Sequence, residues 1–150
     1  MSSAWRTAGI AVGVIFASVV NVLLAQSSGA TTKTVWDGVY TAEQAMQGEK
    51  LATARCVLCH GDRLTGGELA PALSGDVFSA NWDGVMLGDL VDRIRKTMPV
   101  DSPGTLSRQQ TVDIVAYILS LGQFPAGAAP LPTDAGVLTQ IKFESIKPQR

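Results

Sequence analysis

The sequence predicts an all-α domain of three main helices joined by loops. Two stretches of the form Ser/Thr-x-x-Glu/Gln, Thr41–Gln44 and Ser107–Gln110, stand where helices would begin. Apolar residues in two later segments recur at helical spacing. No segment reads as a sheet, and there is no convincing internal repeat.

Each element follows in order. Residues 31–40, with Trp36, Gly38 and Tyr40, read as an extended lead-in. Helix one runs over about 42–55 and is rich in Ala, Gln, Glu, Lys and Leu, which are good helix formers. Residues 61–74 carry Gly66-Gly67, Pro71 and many polar side chains, so they form a loop, with Gly66-Gly67 as a turn. Helix two spans about 86–97. There Leu87, Leu90, Val91 and Ile94 fall at i, i+3, i+4 and i+7 and make one apolar face. Pro99, Asp101, Ser102, Pro103 and Gly104 end it in a loop. Helix three follows Ser107. Its Val112, Val115, Ile118 and Leu119 are spaced to bury a stripe, and it stops near Gly122. Residues 125–150 are an extension whose first part is rich in Ala and Pro. In it Val137, Leu138, Ile141 and Phe143 could pack along the body, and no fold role is assigned to them.

Helix one runs directly into Cys56-Val57-Leu58-Cys59-His60. Two thiols three positions apart with an imidazole next to the second is the spacing that attaches haem covalently. Each sulfur forms a thioether to one vinyl group, and the histidine becomes the proximal iron ligand. These are the chain's only two cysteines and its only histidine, so one haem c is expected. Other readings fit less well. A dithiol redox pair belongs in a βαβ context. A structural zinc site needs about four ligands. A disulfide would leave His60 unexplained.

With no second histidine, the other axial ligand has to be a methionine. Met98 follows helix two, and Pro99 restricts it to an extended backbone that can hold a thioether out of the helix. Met86, at the start of helix two, is the alternative. Met46, in helix one, is expected to fill the core. A thioether ligand raises the reduction potential. A filled sixth position argues for outer-sphere electron transfer rather than catalysis, so the chain is not expected to be an enzyme. No phosphate loop or paired-carboxylate site appears.

Residues 1–30 read as a signal peptide: Arg6, an apolar run over 8–25, then small residues, with cleavage after Ala30 or Ala25. An uncleaved anchor is the competing reading, because the run approaches the roughly 20 residues that span a bilayer. Either way the domain lies in the periplasm, and a membrane partner is expected only if the anchor stays. Removing residues 1–30 takes away Arg6 alone, which leaves the chain one unit more negative than its formal −1. No basic field dominates, which excludes a nucleic-acid binder. Arg93, Arg95 and Lys96 read as a solvated helix end complementing its dipole.

The order helix, CxxCH, proline loop, helix, methionine loop, helix resembles the class I cytochromes c over about 35–124. Gly48, eight positions before Cys56, resembles the family glycine at which the first and last helices cross, and Tyr117 the aromatic residue facing it. Pro71-Ala72-Leu73-Ser74-Gly75 resembles the family's Pro-x-Leu-x-Gly loop. The resemblance implies a cytochrome c fold over 31–124, with loops wrapped around the covalent haem. It also implies that the Pro71 carbonyl accepts from His60 Nδ1, that Leu73 lines the haem, and that Trp82 reaches a haem propionate. Ala52 stands where the family usually has an aromatic residue, which leaves Tyr117 short of a partner. The flanking Trp36–Tyr40 and Thr97-Met98-Pro99 look like those of bacterial cytochromes that accompany periplasmic dehydrogenases. The expected function is a periplasmic monohaem electron carrier whose partners are a dehydrogenase, an oxidase or another cytochrome. The alternatives are a haem subunit of a dehydrogenase complex, with the tail as docking arm, and a haem sensor or peroxidase if the distal site is open.

Overall fold

The computed structural model describes residues 32–149. The expected signal peptide or anchor, residues 1–30, lies outside the described residues.

Among the described residues there are six α-helices: α1 (Ala42–Arg55), α2 (Val57–His60), α3 (Gly75–Trp82), α4 (Leu87–Thr97), α5 (Arg108–Leu121) and α6 (Ala135–Leu138). The three longest, α1, α4 and α5, are the three main helices expected. Two short strands, β1 (Lys33–Thr34) and β2 (Ile141–Lys142), pair in parallel, with Lys33 opposite Ile141 and Thr34 opposite Lys142. Neither was expected, since two residues are too few for a period of two to show.

The caps explain where the helices begin. Ser107 and Gln110 form a complete capping box at α5: Gln110 N donates to Ser107 Oγ (3.1 Å), and Ser107 N donates to Gln110 Oε1 (2.9 Å). At α1 only half of the expected box forms. Gln44 N donates to Thr41 Oγ1 (3.1 Å), but the Gln44 carboxamide is buried and turned elsewhere. Its Nε2 donates to the Leu131 carbonyl and to Asp113 Oδ1 (both 3.0 Å), and its Oε1 accepts from Leu131 N (2.7 Å).

Gly48 lies buried in α1 against α5. A Cβ there would run into the Asp113 carbonyl oxygen and come within 3.0 Å of Tyr117 Cβ. The two helices therefore cross with backbone against side-chain root, although Ala52, fully buried in α1, supplies no ring to Tyr117. Leu87, Leu90 and Val91 bury one face of α4 as their spacing required. In α5, Ile114 and Ala116 are buried as well as the expected Val112, Val115, Ile118 and Leu119. Met46 is a correction: it is 55% exposed and fills no core. It falls on the α1 face turned away from the buried Gln44, Ala45, Gly48 and Ala52.

The extra burial around the core comes from the C-terminal segment. Leu131, Leu138, Ile141 and Phe143 are all buried in the core, so residues 131–143 are a strap rather than a free arm. Tyr40 Oη donates to the Phe124 carbonyl (2.6 Å), and Gly127 N donates to the Tyr40 carbonyl (2.7 Å). Trp36 Nε1 donates to the Glu144 carbonyl (2.8 Å). Phe143 exchanges backbone bonds with the turn before α4: Gly84 N donates to its carbonyl, and its N donates to the Val85 carbonyl (both 2.8 Å). Its ring stands edge-on to Phe124 (5.2 Å) and Phe78 (6.1 Å). Asp83 Oδ1 accepts from both the backbone N (2.7 Å) and the hydroxyl (2.8 Å) of Ser145, and these bonds hold its carboxyl below the usual carboxylate range.

The helix crossing makes a measurable demand. Gly48→Ala removes no contact and would favour helix by propensity, yet its methyl meets the α5 backbone. It should destabilise the domain by about 1–3 kcal/mol through overpacking. A thermal melt should show Tm falling by several degrees, and an unchanged or raised Tm would mean that the helices separate at no cost.

Candidate functional site

Cys56 is both the last residue capping α1 and the first residue before α2. Its N donates to the Ala52 carbonyl (2.8 Å), and its carbonyl accepts from Cys59 N (3.1 Å) and His60 N (2.9 Å). One tight turn thus presents two half-buried, free thiols and a buried imidazole. Burial pushes the Cys56 thiol up from its ordinary value, with the Arg55 charge pulling the other way. Among the described residues no three His, Cys, Asp or Glu side chains are grouped to hold a metal ion.

The next loop folds back onto His60. Gly61 and Gly66 have φ of +75° and +84°, in the left-handed region that favours glycine. Gly66 N donates to the His60 carbonyl (2.7 Å), and Leu73 N donates to the Leu64 carbonyl (2.8 Å). A Cβ on Gly66 would lie 2.6 Å from Ala72 N and 3.2 Å from the Pro71 carbonyl carbon. That missing methyl lets residues 71–72 close in. The Pro71 carbonyl oxygen then lies 2.7 Å from His60 Nδ1, the contact expected from Pro-x-Leu-x-Gly. A carbonyl can only accept, so Nδ1 carries the proton and the lone pair is on Nε2. This is the tautomer of a ligating histidine oriented by its other nitrogen. Sequence reading treated Gly66 as a plain turn residue, and nothing local in the sequence showed how closely Ala72 would approach it.

The remaining candidates lie on separate elements. Leu73 is half-buried against the core. Trp82 ends α3, half-buried, with its ring centroid 6.1 Å from Phe78. Met86 caps the start of α4, and its backbone bridges to Lys142 of the strap. Met98 caps the end of α4 with its N donating to the Ile94 carbonyl (2.8 Å). Its φ of −123° and ψ of 151° are the extended backbone that a following proline favours.

The donor set suits haem. The thiols are free, and His60 is buried with Nε2 unused by Pro71. Arg95 Nε, one turn before Met98, is buried and without a hydrogen-bond partner. A buried donor with no acceptor is costly. An anionic group supplied from outside the chain, such as a haem carboxylate, would satisfy it.

A family model described as "Cytochrome C oxidase, cbb3-type, subunit III" matches residues 43–118. No curated protein matches the chain. A similar solved structure is the crystal structure of the sulfane dehydrogenase SoxCD from Paracoccus pantotrophus, at 22% identity and a TM-score of 0.47. The likeness covers 72% of this chain, which spans 61% of that one.

Two neighbouring glycines test the loop. Gly66→Ala should force Pro71–Ala72 away from His60 and lower stability by about 1–3 kcal/mol. The His60 Nδ1–H proton signal should also move in the NMR spectrum. Gly67→Ala should leave both nearly unchanged, because a Cβ there comes no nearer than 4.0 Å to its neighbour, the Cys59 carbonyl oxygen. Equal effects of the two changes would contradict the account.

Proposed function

From the premise that this chain belongs to the cytochrome c oxidase, cbb3-type, subunit III family, a family of class I c-type cytochromes carrying covalent haem c, we propose that it is an exported, monohaem, outer-sphere electron carrier. Cys56 and Cys59 would hold the haem, and His60 Nε2 and the Met98 thioether would ligate its iron. Bound haem supplies a one-electron Fe(III)/Fe(II) couple.

The observation that carries this reading is the 2.7 Å contact between His60 Nδ1 and the Pro71 carbonyl. It fixes the tautomer and ring orientation that a single proximal ligand requires. The chain's residues do the rest by holding still. The turn of α2 keeps both thiols beside the imidazole. The Gly66-enabled loop keeps His60 from rotating. Met98, extended at the end of α4, offers the thioether that raises the potential and closes the iron to small ligands. Leu73 and Trp82 would line the pocket in this reading, and a haem carboxylate would give the buried Arg95 Nε an acceptor. The redox partners are proteins of the periplasm, a dehydrogenase, an oxidase or a second cytochrome. The strap is held to the body by Leu131, Leu138, Ile141 and Phe143 in the core.

Ligand replacement tests the ligation. Ferric His/Met haem has a weak far-red band from sulfur-to-iron charge transfer. Met98→Ala should abolish that band, lower the reduction potential and let the reduced protein bind CO. Met46→Ala and Met86→Ala should leave all three nearly as they were. Loss of the band on changing Met86 instead would move the ligand, and a parent protein that lacks the band and binds CO would make the sensor or peroxidase reading the better one.

Export is tested separately. N-terminal sequencing of the native protein should start at Thr31, or at Gln26 if cleavage follows Ala25. An intact Met1 in the membrane fraction would identify an anchor.

A further inference from the structure

The segment after Met98 is held differently from the rest of the domain. Leu106 is buried and fixes its far end. Between them Val100, Asp101, Pro103, Gly104 and Thr105 are exposed, so burial contributes little hold. The loop's own bonds are local. Ser102 N donates to the Pro99 carbonyl (3.0 Å), and Thr105 Oγ1 donates to the Ser102 carbonyl (2.8 Å). Among the described residues, one hydrogen bond joins residues 99–105 to another part of the domain. Arg55 Nη2 donates to Thr105 Oγ1 at 3.0 Å, across 50 positions of sequence. Arg55 immediately precedes Cys56 and is the last residue of α1. No carboxylate pairs with it among the described residues, so its guanidinium is not drawn elsewhere by an ion pair.

We propose that Arg55 is a positioning residue for the distal ligand. Through Thr105 it ties the loop that follows Met98 to the attachment end of α1 and keeps the loop closed. The proposal rests on the reading of Met98 as the sixth ligand. Exposed loops with few buried contacts open locally at low free energy, and opening this one would carry the thioether off the iron. The tie shifts that equilibrium toward the closed loop. Breaking it should raise the population of the open form about two- to tenfold, the usual net worth of one hydrogen bond.

Imidazole binding to the ferric holoprotein reads that population, because the probe enters only when Met98 leaves. Thr105→Val removes the hydroxyl, and with it both the acceptor for Arg55 and the loop's own bond to the Ser102 carbonyl, and changes no charge; Arg55→Ala and the double variant separate the two bonds. Thr105 lies at an exposed position, so folding is retained. Arg55→Ala removes the donor. Each should raise the apparent imidazole affinity about two- to tenfold, and each should make the far-red band disappear at lower urea concentration. Thr105→Ser keeps the hydroxyl and should behave as the parent. The double variant should do no more than the stronger single one, the non-additivity expected of a pair.

Unchanged imidazole affinity in Thr105→Val would overturn the proposal. So would an effect of Arg55→Ala alone, which would be a charge effect on the haem rather than a tie, and so would additive effects. A parent protein without the far-red band would instead remove the Met98 reading on which the proposal stands. The two failures are therefore distinguishable.

Discussion

The approach of α1 to α5 at Gly48 is the constraint on which the other parts depend. The haem motif begins where α1 ends, so the placement of α1 places Cys56, Cys59 and His60. With no side chain at Gly48, the Asp113 carbonyl and the root of Tyr117 come into direct contact with the helix. Close packing there is worth more than the roughly 1 kcal/mol that glycine costs in a helix interior. The same region holds the strap. Gln44, one turn before Gly48, spends its carboxamide on Leu131 and Asp113 rather than on its own helix start. One turn of α1 thereby ties together α5 and the strap.

The second control point is backbone geometry rather than side-chain chemistry. His60 would be an ordinary buried imidazole without the Pro71 carbonyl, and that carbonyl arrives because Gly66 leaves room for Ala72. Arg63 and Leu64, neither of them glycine, also have positive φ, at 53° and 58°. Their conformations are uncommon for such residues. The cost is borne where the chain must turn back on itself within a few residues of His60.

Much of this was legible in the sequence because it is local. The cap at Ser107, the 3.6-residue spacing in α4, the CxxCH spacing and the extended backbone at Met98 all depend on neighbours within a turn or two. The Gly48 crossing and the Pro71 contact were legible only through family resemblance, since both join residues far apart along the chain. What stayed hidden follows the same division. Helix α3 begins at a glycine and has no side-chain cap to announce it. The strap has a two-residue strand and a four-residue helix, too short for any period to register. Met46 reads as a core residue by type, yet it faces solvent because only the opposite side of α1 meets α5. Arg55 carries no pattern at all. Its meeting with Thr105 is a product of tertiary folding, as is the buried, unpartnered Arg95 Nε.

The central claim is that one methionine, Met98, completes the iron opposite His60. Proton NMR of the reduced holoprotein tests it directly, because the haem ring current moves the methyl group of an iron-bound methionine far upfield of every other signal. The account predicts one such methyl resonance, assigned through connectivities along the chain to Met98, with the Met46 and Met86 methyls in the ordinary region. An upfield methyl belonging to Met86, or none at all, would contradict it.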